Sequence, residues 1–189
     1  MVELTSLWMP ILVSAVLVFF ASSIIWMALP IHKKDYLPLG AAEGPVIEAL
    51  RAAGLAGRSA QYMLPACDPH ALKDPSAMER FKQGPWGVIS ISSKAPNMGS
   101  MLGLWMVNLV LVSLFVGYLA SHACKPGEAY LSVFRIAGTA AFLAHGGNAM
   151  CDSIWRGRPW SHLPGALFDA VVYALLTAGA FAWLWPKAV

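Results

Sequence analysis

Residues 130–150 read YLSVFRIAGTAAFLAHGGNAM. The run is apolar enough for a bilayer, yet Arg135 stands near its start, His145 and Asn148 near its end, and small residues between them. Counting it as a crossing gives the chain four spans, and an even number puts both termini on one side. The flanking sequence supports that count. Residues 7–31, 98–123 and 163–185 are equally apolar, each close to or beyond the roughly 20 residues that a helix needs to cross a bilayer. Backbone groups in lipid must pair internally, which runs of this length do as helices.

Composition agrees. Of the 189 residues 58% are hydrophobic and 12% charged, against about 25% charged in an ordinary soluble domain. The expected fold class is therefore an all-α membrane protein: a first transmembrane helix in 1–31, a polar insert at 32–97, and three further helices with short loops in 98–189. The net charge of +3 is not clustered, so no nucleic-acid partner is expected. Glu3 and the absence of an early basic residue, with an apolar run too long for a cleaved leader, make the first span an anchor.

The insert holds eight of the 13 Lys and Arg residues, six of the 10 Asp and Glu residues, and seven prolines. With four spans it shares a side with the 152–162 loop, which adds Arg156 and Arg158, whereas Lys125, Arg135 and Lys187 belong to the other side. The bias of basic residues puts the insert in the cytoplasm and both termini outside. Within the insert, residues 44–54 read as a short helix, with Pro45 in its first turn and Gly54 at its stop. SAQYMLP and WGVISISS have strand composition and are candidates for a small two-stranded sheet. Large apolar side chains are few there, so the insert is expected to rest on the helices or on a partner rather than stand alone.

Polar residues within spans are functional candidates by default. By helical rotation His145 and Asn148 share a stripe with Gly138 and Ala141, and contacts across to Asn108 or Ser113 explain them without chemistry. Arg135 lies roughly 25 Å along the helix axis from Asp152, too far to pair, and is expected to snorkel towards Glu128 or lipid phosphate. Small residues at Gly138, Ala141, Gly103 and Gly117 permit close helix approach and so suggest association with another chain. The densest polar set gathers by topology at the cytoplasmic end: His32, Lys33 and Asp35 after the first span, Asp152, Arg156 and Arg158 before the last, and Asp169 just inside it. Arg158 could fork onto a phosphate or carboxylate. An interfacial belt of Trp and basic residues, with Asp152 or Asp169 paired to an arginine, accounts for the same residues; for Asp169, an arginine or lysine from an adjacent loop is the expected partner.

Cys67 and His70 are two soft ligands without a second pair nearby, and three cysteines without CxxC spacing imply neither zinc nor a disulfide framework. No metal or cofactor is expected, and hydrolase and nucleotide-binding signatures are missing from the sequence.

The segments ASSIIWMALPIHKKDYLPL, QYMLPAC, GPWGVISI, PNMGSMLGLW and DSIWRGRPW together resemble a family of small bacterial inner-membrane proteins with no established activity. That resemblance covers most of the chain, and HKKDY followed by LP and SIWRGRPW are its most specific pieces. It implies a bacterial source and four spans, and it transfers no catalytic residue; the Gly40–Ala42 stretch is less acidic than that family's pattern. The expected role is a non-enzymatic accessory or structural subunit in contact with membrane lipids, associating with itself or with other membrane subunits. The alternative is a small oligomeric transporter or anion-binding protein using the cytoplasmic cluster.

Overall fold

The computed structural model describes residues 1–66 and 73–188. Cys67 and His70, the candidate metal ligands, lie outside them. Among the described residues three helical stretches are long and apolar enough to cross a membrane: Leu4–Met27, Met98–Ala123 and Trp160–Trp183. The first is a 3-10 turn running into α1 (Trp8–Met27), the second is α4 (Met98–Ala123), and the third is a 3-10 turn running into α7 (Leu163–Trp183). Asn97 caps α4 by accepting the Ser100 N–H at 2.9 Å, which satisfies one of the donors a helix start leaves unpaired.

The 130–150 run is not one continuous helix. α5 covers Tyr130–Gly146, 17 residues, about 26 Å at 1.5 Å per residue against a hydrocarbon core of roughly 30 Å. The chain then passes Gly147 and resumes as the short α6, Ala149–Trp155. Adjacent glycines are where helices bend. Here Gly147 lies so close to the Leu143 carbonyl oxygen that any Cβ would run into it.

Two compact units emerge from the chain: Met1–Tyr36 with Asn97–Ile154 and Arg158–Val189, and Leu37–Pro96 with Trp155–Gly157. The first is the helical bundle. At one end the Val2 N–H donates to the Ser121 carbonyl at 3.3 Å, the Gly127 N–H to Pro186 at 2.8 Å, and Trp185 Nε1 to the Lys125 carbonyl at 2.9 Å. The amino terminus, the α4–α5 turn and the tail after α7 therefore meet at the same end.

The bundle's closest seam joins α5 to α7 through small side chains. Ala137, Ala141, Ala170, Ala174 and Ala178 are all buried. A Cβ on Gly138 would stand 3.2 Å from the Ala178 methyl, and one on Gly146 only 2.9 Å from that of Ala170. Gly117 of α4 similarly admits Phe181 and Ile11, each within 3.5 Å of where its Cβ would be. Between apolar helices in lipid, dispersion contacts of this kind supply the cohesion that hydrophobicity cannot. Gly138, Ala141 and Gly117 are thus used within the chain, while Gly103 has open space around it. Polar bonds join α1 to α4: the Ser14 and Ser113 hydroxyls meet at 3.0 Å, and Trp105 Nε1 donates to Ser22 Oγ at 2.9 Å.

The second unit carries α2 (Glu43–Ala52), β1 (Ala60–Leu64), α3 (Pro75–Gln83) and β2 (Gly87–Ile91). The strands pair antiparallel, Ala60 opposite Ile91 and Leu64 opposite Gly87. The helix α3 was not expected from the sequence. Asp74 caps it, taking the Ser76 N–H at 3.0 Å, Pro75 fills the first turn, and Gly84 ends it at φ +67°. Among the described residues of this unit none is fully buried.

Candidate functional site

Trp26 lies in the last turn of α1, after which Leu29–Pro30 leads into a 3-10 turn, Pro30–His32. Pro30 lacks an N–H and suits the start of such a turn. The turn folds His32 back against the bundle until its ring stacks on the Trp26 indole, centroids 3.9 Å apart and planes within 1°. Gly165, in the first turn of α7, makes room: a Cβ there would lie 3.1 Å from His32 Cε1. His32 is consequently almost sealed, with 3% of its side chain exposed.

Both ring nitrogens meet carboxylates. Nδ1 lies 2.9 Å from Asp35 Oδ2 and Nε2 lies 3.2 Å from Asp169 Oδ1. Two acceptors flank the ring, so it donates to both only as the imidazolium. Burial works against that charge, but the hydrogen bonds to Asp35 and Asp169 and the negative charge of both outweigh it, raising the His32 pKa above its usual 6.5. The flat stack on Trp26 favours the same cationic form. The other oxygen of Asp169, Oδ2, accepts from Trp26 Nε1 at 3.0 Å, so the tryptophan serves His32 by its face and Asp169 by its edge.

Arg158 closes the outer side. Its guanidinium stands 3.8 Å from Asp35 Oδ2 and 3.9 Å from Asp152 Oδ2, and its Nε faces His162 Nδ1 at 3.4 Å. The Arg158 backbone N–H also donates to the Asp152 carbonyl at 3.1 Å, which closes the turn after α6. At about one third exposure, Arg158 is solvated, and its long contacts are worth little beside the buried His32 pair.

Of the residues singled out from sequence, the structure brings together His32, Asp35, Asp152, Arg158 and Asp169. The basic partner of Asp169 is His32, not an arginine or lysine from a loop. Lys33 and Arg156 are exposed. Asn148 donates from Nδ2 to Asp152 at 3.2 Å, within its own stretch of chain, and Asn108 is on the exposed side of α4. His145 sits among rings instead, 5.3 Å from Tyr173 and 6.5 Å from Trp105, edge-on to both. Ser113, the other candidate partner of His145, is taken by Ser14.

Sequence reasoning missed Trp26 and Gly165. A tryptophan near the end of a span is expected at any membrane interface, so its type carried no signal. The six-residue spacing from Trp26 to His32 becomes informative only once the 3-10 turn is known. Chemically, the cluster is closed on itself. With both His32 nitrogens held by carboxylates, neither is left to take a proton from a hydroxyl, thiol or water, as general-base catalysis requires. No protein-family model, curated protein or solved structure matches the chain.

Proposed function

We propose that the chain is a non-enzymatic integral subunit of a bacterial inner membrane, crossing it four times and associating with itself or with a larger membrane assembly. The observation that carries this reading is the second unit. Some sixty residues fold there with none fully buried among those described, and Leu37, Leu39, Met63 and Trp86 are left more than half exposed. Apolar side chains displayed by a unit with no fully buried residue among those described are what a partner surface would cover. The His32 cluster supports the non-enzymatic half of the reading, because both His32 nitrogens are held by carboxylates in a clasp on α1 and α7. Asp35 and Asp152 already stand where an anion would approach Arg158, which weakens the anion-binding alternative.

Four crossings are supported by the course of α5 and α6. They lead from the Lys125–Trp185 end to Asp152 and Arg158, beside Asp35, at the other. The count of basic residues favours the insert in the cytoplasm and both termini in the periplasm. A photo-crosslinking residue in place of Leu39 or Trp86, introduced into the full chain in intact membranes, tests the association. Reproducible adducts of one defined mass, either a second copy or one partner, are expected. Absence of any adduct, with a monodisperse monomer by native mass measurement in mild detergent, overturns it.

A further inference from the structure

A groove of about 330 Å³ runs along the outer side of the α5–α7 seam. Phe134, Gly138 and Phe142 of α5 and Val171, Ala174 and Leu175 of α7 line it, so the lining is apolar except for Arg135 and Thr139, both exposed. The small seam residues produce it: where helices approach over glycine and alanine, the larger neighbours on either side stand proud and leave a channel between them. Phe134, Gly138 and Phe142 succeed one another every four residues on one face of α5. The α5 side of the lining therefore extends about 12 Å along the helix axis, the direction in which lipid chains run.

Arg135 supplies the second observation. Among the described residues no carboxylate pairs with it. It follows the start of α5 at Tyr130 by five residues, about 8 Å along the axis, within reach of headgroups for a side chain that extends outward. An unneutralised guanidinium at headgroup depth above an apolar channel matches one kind of molecule, with a negative phosphate at one end and a hydrocarbon chain at the other. We infer that the α5–α7 groove is a binding site for an anionic phospholipid of the surrounding bilayer. The phosphate sits on Arg135, and one acyl chain lies along Phe134, Gly138 and Phe142. This rests on the proposed crossing of the bilayer by α5, and not on whether the chain joins an assembly.

The test uses the full chain in mild detergent, with phosphatidylglycerol or phosphatidylcholine of identical acyl chains titrated in and retained lipid counted by native mass spectrometry. One tightly held phosphatidylglycerol per chain is expected, preferred about fivefold over phosphatidylcholine, the order contributed by one basic residue at a membrane surface. Arg135→Gln should abolish the preference, while Lys187→Gln, which removes a charge at the same end but outside the groove, should keep it. Leu175→Trp, on the exposed lining, should reduce retention of both lipids by filling the channel. Equal retention of the two lipids by the unsubstituted chain, a preference that survives Arg135→Gln, or undiminished retention by Leu175→Trp overturns the inference.

Discussion

Asp169 is the residue whose replacement separates a clasp from a passive surface contact. Its carboxylate accepts from His32 Nε2 at 3.2 Å and from Trp26 Nε1 at 3.0 Å, with 11% of the side chain exposed. Asp169→Ala leaves both donors facing a methyl group. A buried donor without a partner costs about 1–3 kcal/mol, so a loss of about 2–4 kcal/mol is expected, Asp35 still holding the other side of the ring. Asp169→Asn should behave differently. The amide oxygen can accept from Trp26, and the amide N–H can donate to Nε2 of a neutral His32 whose Nδ1–H still serves Asp35. Every group keeps a partner, and the loss should be about 1 kcal/mol or less.

Asp169→Asn should also differ from the unsubstituted protein in its pH response. The folded-state pKa of His32 lies above the unfolded value near 6.5, so the folded protein holds the proton more tightly than the unfolded chain. That contribution to stability is complete below about pH 6.5 and is lost as pH rises through the raised folded value. Tryptophan fluorescence followed through thermal unfolding in mild detergent, at half-unit steps from pH 5.5 to 9, measures it. The unsubstituted protein should lose stability towards the alkaline side, whereas Asp169→Asn, already adapted to a neutral ring, should not. The two profiles should converge as pH rises. Parallel profiles, or Asp169→Asn as damaging as Asp169→Ala throughout, would refute the doubly paired imidazolium.

Glycines give a second set of outcomes. Gly146→Ala drives a methyl to 2.9 Å from the Ala170 methyl across the α5–α7 seam, and the strain of overpacking should lower stability by about 1–3 kcal/mol. Gly103→Ala meets nothing within 4 Å and should be neutral or stabilising by up to about 1 kcal/mol, as expected for alanine in a helix; thermal unfolding of the two side by side checks both. Gly165→Ala presses on His32 Cε1 from 3.1 Å; it should cost about 1 kcal/mol and, unlike Gly103→Ala, flatten the pH profile. Reporter fusions after Asn97 and after Lys187 should signal cytoplasm and periplasm respectively, and the opposite pair of signals would invert the topology.

Sequence patterning was most informative where chemistry is one-dimensional. Length and apolarity identify α1, α4 and α7, because the bilayer selects on those quantities alone. Strand composition in SAQYMLP and WGVISISS, with alternation in the second, anticipated the strand pair, since both signals are local. The end of α5 was invisible to the same criterion: Gly146 and Gly147 do not lower apolarity, yet they stop the helix. The helix α3 carried its signals, Asp74–Pro75 at the start and Gly84 at the end, but presents no fully buried face, so no apolar stripe drew attention to it.

The polar cluster divides in the same way. That His32, Asp35, Arg158 and Asp169 share one end of the bundle follows from connectivity, because each borders a span. Which of them pair does not follow, since it depends on a 3-10 turn at Pro30 that returns the chain under α1. Without that turn, charge alone suggests Asp169 with an arginine; with it, His32 arrives first and Arg158 is left to Asp35 and Asp152. The small residues teach the complementary lesson. Gly138, Ala141 and Gly117 announce close helix contact, but a contact within the chain and one between chains demand the same side chains, and the structure spends these three internally. The case for association therefore moves from the bundle's small-residue faces to the second unit, where exposed Leu39 and Trp86 are the positions at which a crosslink can sustain or end it.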